Sequence, residues 1–223
     1  MDADEFDMLR AIASPERLGP YLRVSLGDRS TAVRLYAWNI QVSAAFQAPL
    51  GCLEVEYRNA LHYRLSALFG RDDWWLAPNI LLHHTAQHMV ADAIQEIQRR
   101  HEPLTPGRTV AELSFGFWVS LLGSGADYET RLWRPALRHA FLGYRGRRKP
   151  LHQEFDQVRR LRNRIAHHEP IHRRDLVADH ERVVRLLDYI SPEYATWVRL
   201  HDRVPEVLAC RVDVCSGLLM ARF

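Results

Sequence analysis

Apolar residues recur at intervals of three and four along most of this chain, and almost nowhere at intervals of two. The clearest run is Leu50, Leu53, Tyr57, Leu61, Leu65 and Leu68, within the stretch from Ser30 to Phe69. That spacing lines one face of an α-helix. Pro49 and Gly51 interrupt the stretch and are expected to divide it into two helices. A stripe of Leu151, Phe155, Val158, Leu161 and Ile165 repeats the pattern, as does one of Leu176, Val177, Val183, Val184, Leu187 and Ile190 between residues 175 and 190. Helix starts are equally legible. Ser14-Pro15 and Ser191-Pro192 each place a capping hydroxyl before a proline at the first helical position, and Thr109 with Glu112 reads as a capping box. The expected fold class is all-α, a helical bundle with additional helices.

At 223 residues the chain is long enough to bury a proper core. One compact unit is expected, with residues 30–190 as its main helical domain, 1–29 as an N-terminal helical extension and 191–223 as a C-terminal segment packed on the same unit. The stretch "HEPLTPGRT" near residue 105 reads as a loop inside it. No run approaches the roughly 18 uncharged residues of a membrane span. The start, "MDADEFDML", is acidic where a signal peptide is basic. A soluble, cytoplasmic protein without a membrane partner is the expectation. Cys52, Cys210 and Cys215 are odd in number and form no CxxC pair, which suits reduced thiols.

A net charge of +3 says little, but its distribution says more. Between Arg131 and Arg174 stand thirteen Arg or Lys against three acids, a local charge of +10. Lys149 is the only lysine of the chain, as a GC-rich genome would produce. Codon bias explains arginine over lysine; it does not explain clustering. The cluster centres on "RRLRNRIAHHEPIHRR", residues 159–174. Arg162 lies between Val158 and Ile165, on the border of the buried face, where a guanidinium needs a partner or a task. Pro170 disfavours helical geometry at Glu169, so the helix is expected to stop just after His168. His167 and His168 then stand at a helix C-terminus, where the backbone dipole attracts a cation. On an ideal helix Arg162 and His167 are about 140° apart. Either the last turn distorts, or two copies of the motif face each other across a two-fold axis.

Arginine, asparagine and histidine together suit a phosphodiester. Attack by the 2′-hydroxyl of RNA needs a base, an acid for the departing 5′-oxygen, and positive charge for the phosphorane. Histidine serves as acid or base, and arginine offers a planar fork of donors to phosphate oxygens. Asn163 can orient the imidazole or the hydroxyl. The scheme requires no metal or other cofactor.

The Arg162-Asn163-x-x-x-His167 pattern resembles the Arg-x(4–6)-His signature of HEPN domains. The wider context resembles their Abi-like branch, of the abortive-infection AbiD and AbiF type. The landmarks, in order, are "LEVEYRNALHYRL" from Leu53, "LSFGFWVSLL" from Leu113, "LW" at Leu132 and "LRNRIAHHEPI" from Leu161, covering roughly residues 30–190. The resemblance implies an all-α HEPN-type bundle, usually homodimeric. It also implies a metal-independent endoribonuclease leaving a 2′,3′-cyclic phosphate, acting in phage defence or as a toxin. Arg162 and His167 would be catalytic and Asn163 supporting, with His168 as a reserve for proton transfer. The substrate would be single-stranded RNA or tRNA, and an inhibitory antitoxin, protein or RNA, is a further expected partner. Some HEPN proteins only bind RNA or act as scaffolds, and that is the alternative reading. A DNA-binding regulator is less favoured, because no helix-turn-helix stands out.

Other residues admit two readings. Glu54, Arg58 and His62 form one line along a helix, simplest as a salt bridge at i and i+4. Alternatively this line, with Asn59, packs beside the Arg162 helix and orders the site. Arg145, Arg147, Arg148 and Lys149, in a Gly-rich connection expected to be mobile, are candidates for RNA backbone contacts, as are Arg159, Arg164 and His172. His84 and His88 could share one helix face with a metal, but lack a third ligand and read more simply as surface histidines. Trp38, Trp118, Trp133 and Trp197 read as core. Trp74 and Trp75 read as a core-capping loop, or else as a platform for an unpaired base.

Overall fold

The structure, a computed structural model, describes residues 2–223, with side chains described from residue 5. Among the described residues there is no strand, and the fold is all-α. The helices are α1 (Asp2–Ala13), α2 (Pro15–Val24), α3 (Arg29–Phe69), α4 (His84–Arg99), α5 (Pro106–Glu112) and α6 (Phe115–Ser120). After three short 3₁₀ or π turns between Gly125 and Ala140 come α7 (Arg148–Ala166), α8 (Leu176–Ile190), α9 (Pro192–His201), α10 (Val204–Ala209) and α11 (Arg211–Ser216).

The chain divides into two compact units. The first holds the described residues up to Leu50, with Leu161–Glu181 and Leu200–Phe223; the second holds Gly51–Arg160 and Arg182–Arg199. In the first unit Trp38 is fully buried, its indole Nε1 donates to the Val207 carbonyl at 2.9 Å, and Arg211 lies over its ring at 4.9 Å. In the second unit Tyr57 is the hub. It stacks on Phe155 at 4.0 Å, meets Phe115 edge-on, and its hydroxyl donates to the Trp118 carbonyl at 3.0 Å.

Several sequence expectations need correction. Pro49 and Gly51 do not divide a helix: α3 runs unbroken for 41 residues, with Pro49 inside it. An internal proline costs about 3 kcal/mol. Yet Val42, Phe46, Leu50, Leu53 and Tyr57 all stay buried in one phase, and a break there would lose it. The capping box at Thr109 is displaced, because α5 begins four residues earlier with Thr105 as N-cap, accepting from Arg108 N–H, and Pro106 at the first position. Ser14 precedes α2 but makes no capping bond from its side chain. Ser191 does cap α9, accepting from Tyr194 N–H at 3.4 Å.

The stripes are buried as expected, except at their ends. Leu68, beside the last residue of α3, and Val177, in the first turn of α8, are exposed. Trp197 is also half-exposed rather than core: Ala195 and Val198 form the buried face of α9, and the indole lies outside it, stacked on Tyr194. Trp74 and Trp75, by contrast, are buried at 0% and 7% exposure, which removes the base-stacking reading and leaves them as core.

Candidate functional site

The helix α7 carries its apolar stripe, Leu151 to Ile165, at 4% exposure or less throughout. Such a stripe fixes the rotation of the helix and so decides what its remaining faces present. Arg162 and Asn163 emerge half-buried beside it; Ala166, His167 and His168 are exposed. The backbone stays regular through His167, whose N–H donates to the Asn163 carbonyl at 2.9 Å.

The helix ends on a specific device. His168 N–H donates to the Ile165 carbonyl at 3.0 Å and Glu169 N–H to the Arg164 carbonyl at 2.7 Å. These paired bonds form a Schellman cap, which needs a left-handed residue at its centre, usually glycine. Here that residue is His168, at φ 55°. A non-glycine residue in this region stores strain. The strain is held from both sides. Arg17 of α2 donates through Nη1 to the His168 carbonyl, and Arg164 folds back to donate to the Pro170 carbonyl at 2.9 Å, with Glu169 beside it at 3.6 Å. Beyond the cap, the Asn39 Oδ1 accepts from Ile171 N–H at 2.9 Å and His172 N–H at 3.1 Å. Thus α2 and α3 pin the turn that displays His167.

Neither Arg17 nor Asn39 was singled out in the sequence. Asn39 left a readable signal, a buried amide four residues after Leu35 on an otherwise apolar face. Arg17 left none, since a surface arginine in a short helix is ordinary.

The expected RNA-binding residues separate into two groups. Arg145, Arg147 and Lys149 are exposed. Arg148 turns inward, pairing with Glu129 at 2.8 Å and donating to the carbonyls of Leu122 and Gly123, so it anchors α7 instead of offering a surface cation. The connection before it is also not free: Tyr144 donates to the Arg147 carbonyl at 2.9 Å, and any side chain at Gly146 would collide with the Tyr144 ring. Arg159 is held by Asp156 at 2.7 Å, as is Arg160 at 2.9 Å. Burial alone would raise the Asp156 carboxyl, but these two guanidiniums bring it below the usual range.

His172 departs furthest from its expected role. It is 1% exposed, packs on the Tyr21 ring at 4.6 Å, and neither ring nitrogen has a hydrogen-bond partner among the described residues. Burial, and then the charges of Arg211, Arg173 and Arg164, push its pKa down to about 4. It is a neutral core imidazole, out of reach of a phosphate.

Glu54, Arg58 and Asn59 belong to the second unit and lie within the unbroken α3. Glu54 and Arg58 are half-buried and Asn59 is exposed. His62, on the same line, accepts from the Trp74 indole Nε1 through Nδ1 at 3.1 Å, and burial lowers its pKa. His84 and His88 are exposed, and among the described residues no group of three or more His, Cys, Asp and Glu side chains is placed to hold a metal ion. Among the described residues no helix is long and apolar enough to cross a membrane.

Comparison with protein-family models, with curated proteins and with solved structures finds no match to this chain.

Proposed function

We propose that the chain is a metal-independent endoribonuclease of the HEPN, Abi-like kind, acting on RNA in phage defence or as a toxin. The observation that carries this reading is the end of α7: an exposed His167 on a pinned turn, one turn beyond Arg162 and Asn163 on the same helix. Because the helix is regular through His167, one copy keeps Arg162 and His167 about 140° apart. A two-fold pair of chains is the arrangement that brings one copy's arginine to the other's histidine.

In such a cleft His167 accepts the proton of the 2′-hydroxyl or donates one to the departing 5′-oxygen. Arg162 offsets the charge of the phosphorane, and Asn163 orients the imidazole or the hydroxyl. The products are a 2′,3′-cyclic phosphate and a 5′-hydroxyl. The exposed cations Arg145, Arg147 and Lys149 favour a second reading, a protein of the same fold that binds RNA without cutting it.

Labelled single-stranded RNA and bulk tRNA, incubated with the protein in EDTA, separate the two. Discrete cyclic-phosphate products that vanish with Arg162→Ala support the nuclease. Salt-dependent binding without product from either protein supports the binding module.

A further inference from the structure

Within the first unit a cavity of about 650 Å³ opens beside the motif. A stripe of α3 forms one wall, with Tyr36, Asn39, Ser43 and Gln47 on it. Arg17 and Tyr21 of α2 line another part, and Ile165 and His168 bring the end of α7 to it. The volume is that of a site for a small organic molecule, within the usual range of roughly 300–1,000 Å³.

Among the described residues the lining carries no carboxylate, and Arg17 carries four further N–H groups beyond the one given to the His168 carbonyl. The polar groups have fixed polarity. Asn39 Oδ1 faces the Ile171 and His172 N–H groups, so the amide NH₂ is what Asn39 offers to the cavity. The Ser43 hydroxyl donates to the Asn39 carbonyl at 2.7 Å, which leaves its Oγ to accept. One donor and one acceptor, a turn apart, stand beside the half-buried Tyr36 ring. Flat apolar contact, a donor and acceptor edge, and a guanidinium are what a nucleotide requires: a face for the base, partners for its edge, a fork for its phosphate. The strained His168 fits the same use, because it lines the cavity at a backbone position where glycine would sit without strain.

We infer that this cavity binds a nucleotide, seating one base of the RNA strand next to the phosphate that His167 attends. That the nucleotide belongs to a strand rests on the ribonuclease reading; that the cavity takes a nucleotide does not. His168 is then a residue of base recognition, distinct in role from the neighbouring His167.

The test pairs binding with cleavage. Titration of the four nucleoside 3′-monophosphates into wild type, Tyr36→Leu and the solvent-side Gln47→Ala, each checked for fold by circular dichroism, reads the cavity. Oligonucleotides varied at one base read its effect on cutting. The expected result is binding of at least one mononucleotide, roughly 5- to 150-fold weaker in Tyr36→Leu, the range that loss of one base stack produces. Cleavage by Tyr36→Leu and Gln47→Ala then continues with an altered base preference. Mononucleotide binding that depends on Tyr36, with no cutting by wild type, keeps the site, removes the ribonuclease reading, and assigns a free nucleotide as the ligand. No bound mononucleotide, together with a base preference that neither variant changes, overturns the inference while the nuclease stands. Absence of both binding and cutting overturns the two together.

Discussion

The chain writes Arg-Asn followed by histidine twice, at Arg58-Asn59 with His62 and at Arg162-Asn163 with His167, and the two copies meet opposite fates. The first lies in the middle of a 41-residue helix. There His62 is half-buried and its Nδ1 is occupied by the Trp74 indole. The second lies at a helix end, where a left-handed His168 turns the backbone away and leaves His167 in solvent. Similar letters, with the histidine four residues after the arginine in the first and five in the second, yield a structural imidazole in one place and an available one in the other. What decides between them is helix termination, together with a tryptophan in reach.

The largest effect expected from breaking this contrast is on the first copy's partner. Trp74→Ala removes a fully buried indole and should cost about 3–5 kcal/mol, read as a lowered midpoint in denaturant. An unchanged midpoint would mean that the ring is not part of the core. Next comes pH. His172 titrates near its ordinary 6.5 when unfolded but only at about 4 when folded, so the unfolded chain binds the proton first. Its contribution is present above pH 6.5, falls away between 6.5 and 4, and is absent below, amounting to about 3 kcal/mol. His172→Phe should flatten that part of the stability–pH curve; an unaltered slope would assign it to other groups.

His62→Ala leaves the Trp74 N–H without its acceptor and should destabilise by about 1–3 kcal/mol. Smallest is His168→Gly. Relief of the left-handed strain, partly offset by the looser unfolded chain, should stabilise by about 0.5–1 kcal/mol. A loss of stability on that change would show that the imidazole contributes more to the fold than its backbone costs.

The helical stripes were legible in the sequence because periodicity reports burial directly, and every member from Leu151 to Ile165 is in the core. Punctuation was less legible. Pro49 signals a break locally, but the continuous apolar phase on both sides outweighs it. Arg162, Asn163 and His167 were legible as candidates, by residue type and spacing. Their supports were not, because Arg17 and Asn39 reach the motif turn from 151 and 132 residues away in the chain. Sequence also gave no sign that His172 and Arg148 point inward, as only tertiary packing separates a buried cation or imidazole from an exposed one.

The contrast between the two histidines is tested most directly by assaying His62→Ala and His167→Ala side by side on labelled RNA in EDTA, with a thermal melt of each protein. The prediction is that His167→Ala loses cleavage by about 10²–10⁴-fold at an unchanged melting temperature, while His62→Ala melts earlier and still cuts when folded. Cleavage retained by His167→Ala and abolished in folded His62→Ala would contradict the account and move the chemistry to the first copy of the motif.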